Sequence, residues 1–418
     1  MLNRQIAPPF YRSTQINLLQ PDKIISSSGA PLYVMQGGEQ DVIRIEWVFN
    51  AGKVAETKIG QSHFTAQQLD KGTSNLSSLS LAEGFEKYGA HIDVSAGNDY
   101  TTLTLYTLSK HLHQVLPLVE EIIHQVIFPE DELMLAQSIA QQQYQINKEK
   151  TSFLAGKYFR SALFGNHPYA NEIEDSHIKE ITREDLLSFY HTAYQLHAVF
   201  ICGKMVEDAI KAIEKLTAGL KYQPQNIKVN TIAWPKPKHE HIQKDGSVQT
   251  TIRFGKLAIN RNDPDFISLL FTTHILGGYF GSRLMKNIRE DKGLTYGIYS
   301  VLQPLQQQAI LSIGADVNQQ NKELTLSEIK KEINKLKTEL VEKEEFENAR
   351  NYFVGSLQSE VSTIFANSDK IKTIILNNLP VDYYQQMIDT IENMKPEDVA
   401  QTATSYFDLE SFTTITVG

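Results

Sequence analysis

Arg289 and Tyr296 stand seven positions apart in the stretch GGYFGSRLMKNIREDKGLTYGIYS, which runs from Gly277 to Ser300. A guanidinium is a planar fork of donors that grips a carbonyl or carboxylate, and a phenol is a neutral donor that can meet an oxyanion as it forms. Together they carry the chemistry needed to bind a peptide carbonyl and stabilise charge on it. Leu284, Met285 and Ile288 recur at helical spacing, and Lys292-Gly293 stops that helix. From Leu294 the period falls to two, which places Leu294, Tyr296 and Ile298 on one face of a strand and Thr295, Gly297 and Tyr299 on the other. Arg289 then closes a helix and Tyr296 opens a strand, within reach of one another across one turn. A structural reading also fits, in which Arg289 completes a helix C-terminus and Tyr296 is a half-buried core aromatic.

A second helix has the outline of a metal site without its ligands. It reads His63-Phe-Thr-Ala66-Gln67-Gln-Leu-Asp-Lys71-Gly72-Thr73. Positions four apart share a helix face, so 63 and 67 could meet one metal, with 66 beside them for proton transfer. His63 alone has the right chemistry. Gln67 offers a weak neutral amide, and Ala66 can neither give nor take a proton. Between Leu133 and Lys148 there is no carboxylate to complete the set, and Gln141, Gln142 and Gln143 stand in its place. The pairs His111/His113 and His239/His241 lack a third ligand nearby and read as surface residues. The glycines at 277, 278 and 281 are followed by no Lys-Ser or Lys-Thr, and no Gly-x-Ser-x-Gly elbow occurs.

The elements that position these residues belong to a long, ordinary globular chain. Its 418 residues, 41% hydrophobic and 21% charged, suggest two or three domains and no disorder. A net charge of −9 with no basic stripe argues against nucleic acid or an anionic membrane as partner. The N-terminus lacks the continuous apolar core of a secretory signal, and no apolar run is long enough to span a bilayer, so a cytoplasmic location is expected. Cys202, the single cysteine, lies in an apolar run and reads as a small core residue.

The chain repeats itself. Ile181-Thr-Arg-Glu-Asp-Leu recurs as Met394-Lys-Pro-Glu-Asp-Val, and Glu132-Leu133 with Ala136 recurs as Glu345-Phe346 with Ala349, both at an offset of 213. Val42-Ile43-Arg44 is matched with Thr251-Ile252-Arg253. Each half opens with strands, passes through a short helix and two more strands, and then enters grouped helices such as that carrying Val115, Val119 and Ile122. That order predicts an α+β class with two homologous domains, each a mainly antiparallel sheet backed by helices. The boundaries are set at 1–222 and 245–418, with a Pro- and Lys-containing linker over 223–244.

Two stretches carry a resemblance. His63 to Thr73 resembles the zinc helix of the inverted-zincin peptidases of the pitrilysin and insulin-degrading type, His-x-x-Glu-His followed by Lys-Gly-Thr, with Ala66 and Gln67 in place of the Glu and the second His. Ser282-Arg-Leu to Tyr296 resembles that family's substrate-binding Arg and Tyr, here Arg289 and Tyr296. The likeness covers nearly the whole chain and is strongest to the two-domain, processing-peptidase-like branch. By the family's spacing the distal Glu ligand falls near Gln143. The resemblance implies a chain with no zinc or other cofactor of its own, paired with a homologous zinc-binding peptidase subunit as a heterodimer closed around peptide substrates. It implies further that the partner's metal activates water, that Tyr296 donates to the oxyanion and that Arg289 holds a substrate carbonyl. Gly89 to Ala96 matches the sheet edge on which the family adds substrate as a strand. Two other readings stand beside it: a structural or assembly scaffold of the same fold, and a self-sufficient enzyme using His63 with unconventional ligands.

Overall fold

The protein, a computed structural model, is described over residues 14–224 and 232–418. Its first half runs β1 (Asp22–Ile25), β2 (Pro31–Gln36), β3 (Val42–Phe49), α1 (Gln61–Gln68), α2 (Ser78–Glu86), β4 (His91–Ala96), β5 (Thr101–Leu108), α3 (Leu112–Gln125), α4 (Glu130–Lys148), α5 (Thr151–Phe164), α6 (Asp175–Glu180), α7 (Arg183–Ala193), β6 (Leu196–Gly203) and α8 (Ala209–Ala218). The second runs β7 (His239–Ile242), β8 (Gln249–Ala258), α9 (Phe266–Gly277), a π-helical turn at Met285–Asp291, β9 (Thr295–Pro304), β10 (Ala309–Asn318), α10 (Lys322–Thr338), α11 (Lys343–Ser359), α12 (Ile364–Leu376), α13 (Tyr383–Asn393), α14 (Pro396–Tyr406) and β11 (Thr413–Val417). Two sheets result, ordered β1-β2-β6-β3-β5-β4 and β7-β11-β8-β10-β9. Among the described strands β2 pairs with β6 and β7 with β11 in parallel, and the other strand pairs are antiparallel. The class is α+β with two homologous domains, as the pattern of strands and grouped helices predicts.

The repeated Glu-Asp segments have a shared physical role. Asp185 accepts from the Thr182 backbone N–H at 2.9 Å, and Asp398 accepts from the Lys395 N–H at 2.7 Å. Each carboxylate reaches back from the third helical position to close the first turn, so the repeat marks two equivalent helix starts.

Two expectations change. The stretch expected to be linker ends in β7, which pairs with β11 and points His239 and His241 at the Thr414 and Thr416 hydroxyls at 3.0 and 2.9 Å. The repeat also has a different register at its start. Val42 pairs with Leu108, the last residue of β5, and Gln249 pairs with Asn318, the last residue of β10. A 3-10 turn and a long helix follow directly in both halves. By this ladder Arg44 corresponds to Thr251, and Glu46 corresponds to Arg253.

Each sheet is covered on both faces, and on one face the cover comes from the other half. Ile43, Ile45, Trp47 and Phe49 of β3 pack with Leu103, Leu105, Val115 and Val119 of their own half. The opposite face meets α12, where Ile375 and Leu376 lie on Val48, Ala198 and Phe200. Reciprocally, Ala155, Phe159 and Leu163 of α5 pack on Leu257, Ile310, Ile415 and Val417 of the second sheet. A fully buried Phe or Leu contributes about 1.5–3 kcal/mol, so each exchanged helix adds several kcal/mol to the joint between halves. The α12 contact also explains two charges on an otherwise apolar strand. Arg44 donates to Asp369 at 2.9 Å and lies 3.1 Å from Glu46, which in turn accepts from Lys372.

Candidate functional site

The Arg289 to Tyr296 segment is bolted to the helices behind it. Gly277 ends α9 against β9: a Cβ there would lie 2.5 Å from the Ser300 backbone nitrogen, so only glycine permits the approach. Arg283 grips Glu345 of α11 with both arms of its fork, at 2.8 and 3.0 Å. Asn287, buried in the π-helical turn, donates to Glu328 at 3.0 Å and to Glu332 at 2.7 Å on α10, and it accepts from Lys292 at 2.6 Å. The hydrogen bond from Asn287 and the nearby Lys292 ammonium hold the Glu328 carboxyl below its ordinary range. Gly293, at φ +58°, then turns the chain into β9.

β9 is the last strand of its sheet, and it begins with a bulge. Thr295 pairs with Val317 and Ile298 with Ala315, so Tyr296 and Gly297 together face Asp316. The Thr295 hydroxyl fixes this, donating to the Asp316 carbonyl at 2.6 Å and accepting from the Gly297 N–H at 3.2 Å. The extra residue breaks the alternation that would put Tyr296 beside the buried Ile298. Tyr296 is instead 94% exposed, so the reading of it as a half-buried core aromatic does not hold. Arg289 places its guanidinium carbon 4.7 Å from the centre of the Phe280 ring, itself 60% exposed. Phe280 escaped sequence reasoning; its only signal was an aromatic residue among glycines.

On α1, His63 and Gln67 are exposed and Ala66 is buried. The protein around His63 and the Lys53 ammonium lower its pKa below the ordinary value, so its imidazole is neutral near pH 7. α4 packs against α1, and Gln143 on it is exposed and bonds Asn147 of its own helix at 3.0 Å. One imidazole, one amide, one methyl and a second amide are not a zinc donor set. Among the described residues no group of three or more His, Cys, Asp or Glu could hold a metal ion. The zinc chemistry of the family therefore does not fit these residues. β4, matched to the substrate-binding edge, is the outer strand of the first sheet, and α1 packs against it. No described helix is long and apolar enough to cross a membrane.

Comparison with known proteins gives the class that this fold and dismantled metal helix define. Residues 36–177 match the insulinase family (peptidase family M16), and residues 180–353 match the peptidase M16 inactive domain. The chain belongs to peptidase family M16. It is 27% identical to an uncharacterised zinc protease of Rickettsia bellii, over 86% of this chain and 87% of that one. It is 22% identical to the non-peptidase homologue YmxG of Helicobacter pylori, over 86% and 84%. A crystal structure of a peptidase M16 inactive domain from Pseudomonas fluorescens superposes with a TM-score of 0.87 at 25% identity, covering 95% of this chain and 98% of that one. The whole fits a non-catalytic M16 member.

Proposed function

We propose that this chain is the zinc-less subunit of a heterodimeric zinc endopeptidase, and that it lends Arg289 and Tyr296 to peptide held in a chamber shared with a homologous zinc-binding subunit. One observation carries the reading: a tyrosine 94% exposed at the start of an edge strand whose backbone is held by a bulge, a hydroxyl bond and helix anchors. A phenol this exposed contributes little to its own core, while a donor facing outward from an anchored backbone can meet an oxyanion. Arg289, steadied over Phe280, presents its fork to a substrate carbonyl. The metal chemistry belongs to the partner chain, and the location is cytoplasmic.

The test is reconstitution. This chain and a zinc-bearing homologue with intact His-x-x-Glu-His are purified separately and mixed, and hydrolysis of a quenched fluorescent peptide is followed. Activity that rises to a one-to-one stoichiometry supports the reading. Full activity of the homologue by itself overturns it and leaves the scaffold role.

A further inference from the structure

A cleft of about 580 Å³ opens between α5 and the second sheet, roofed by Lys53 and Asn98 of the first half. Its charged lining is Lys53, Arg160, Glu172 and Arg253. Glu172, the single carboxylate among them, is taken by Arg160. Asp99 lies nearby but accepts from the Tyr169 hydroxyl at 2.6 Å. Lys53 donates to the Asn171 carbonyl at 3.1 Å and has donors to spare, and burial lowers its pKa. Among the described residues Arg253 bonds the carbonyl of Ile252 alone, at 3.0 Å, stands 5.9 Å from the Tyr299 ring centre, and has no carboxylate partner.

The first half shows what belongs in such a place. There the equivalent space under α12 is filled by Arg44, Glu46, Asp369 and Lys372, two cations with two carboxylates. By the strand ladder Glu46 corresponds to Arg253, and from the starts of α12 and α5, at Ile364 and Thr151, Asp369 corresponds to Gly156 and Lys372 to Phe159. The second half therefore has neither carboxylate at these places, carries its one cation, Arg253, where the first half has Glu46, and leaves a void lined by Gly156. A Cβ on Gly156 would meet only Arg160 Nη1, at 3.9 Å.

We propose that this cleft is a carboxylate site for bound peptide, with Arg253 as its fork and Lys53 as its second cation, filling from outside the place that Asp369 fills from within in the other half. The proposal rests on the peptide-binding reading above. The cleft reaches β9, to which Tyr299 and Gln303 belong, so an extended peptide along that edge brings a carboxylate to it. The carboxylate comes from an acidic side chain or from the peptide's C-terminus.

The test measures binding of labelled peptides to the full chain, alone and with the zinc-bearing homologue, by fluorescence anisotropy at low salt. Four peptides of one sequence are compared: acidic or neutral side chains, each with a free or amidated C-terminus. Arg253→Gln weakens carboxylate-bearing peptides at least about tenfold, the weight of one charge-assisted pair, and spares the neutral amidated one. Gly156→Asp, which restores the missing carboxylate from the opposite wall, does the same with an unchanged thermal transition. Loss on amidation alone assigns the C-terminus, and loss on neutralising side chains assigns those. Equal affinities for wild type and both variants overturn the carboxylate site and leave the proposed function standing. Binding of no peptide in any arm overturns both.

Discussion

Glu46→Leu removes the centre of the charge network that joins α12 to the first sheet, and its cost follows from what is left behind. Glu46 and Arg44 are both buried, and Glu46 serves Arg44 at 3.1 Å and Lys372 at once. Breaking a buried pair by removing one partner costs about 3–5 kcal/mol, because a charge is left uncompensated. Here Arg44 keeps Asp369 at 2.9 Å, and Asp369 is half exposed, so the lower end applies, about 3 kcal/mol. In Glu46→Leu/Lys372→Met the remaining charges, Arg44 and Asp369, balance, and the double variant recovers at least about 1.5 kcal/mol of the sum of the singles. The assay is urea unfolding followed by far-UV circular dichroism and tryptophan emission. Because α5 and α12 are exchanged between halves, both probes should move together, with Cm lowered and m unchanged. A Glu46→Leu loss within about 0.5 kcal/mol, the usual range of a surface change, or a double variant worse than additive, would refute the reasoning.

Arg283→Ala frees Glu345 and one anchor of the Arg289 turn; it should cost about 2 kcal/mol by thermal melting and lower the activity of the reconstituted pair with little change in subunit affinity. His274, stacked 4.7 Å from Tyr279, has its pKa pushed down to about 4 by burial, so the unfolded chain binds a proton at pH values where the folded one does not. Stability should therefore fall as the pH drops from about 6.5 to 4, by as much as about 3 kcal/mol. That component should vanish in His274→Phe; an unchanged pH profile would contradict it. Dialysis against zinc followed by elemental analysis should leave less than one equivalent on the wild-type chain, and His63→Ala should leave the activity of the pair intact.

How far the sequence carried the structure depends on whether a feature is local. The helix His63 to Gln67 and the strand Val42–Phe49 were legible because period and residue type decide them within a few positions. The bulge at Tyr296 was not, since an inserted residue is defined by the partner strand and Asp316 lies twenty positions on. Nor was the exchange of α5 and α12: an amphipathic helix announces that one face is buried, not which sheet buries it. The same gap hid the meaning of Arg44 and Glu46, which on the strand alone look misplaced. β7 was lost because three polar residues followed by Ile242 carry almost no periodic signal, and its pairing with the C-terminal strand is fixed by the far end of the chain. Arg253 was visible but aligned with Arg44, two positions from its counterpart Glu46, so the emptied carboxylate place could not be seen.

The proposed composite site depends most directly on the Tyr296 hydroxyl. The measurement is kcat for peptide hydrolysis by the reconstituted pair carrying Tyr296→Phe, beside subunit affinity and melting temperature. A residue 94% exposed contributes little to its own fold, so affinity and melting should not move. The kcat should fall about 10²–10³-fold, the loss of about 2.7–4 kcal/mol expected for one oxyanion donor. A kcat equal to that of the wild-type pair would contradict it and make the chain a scaffold.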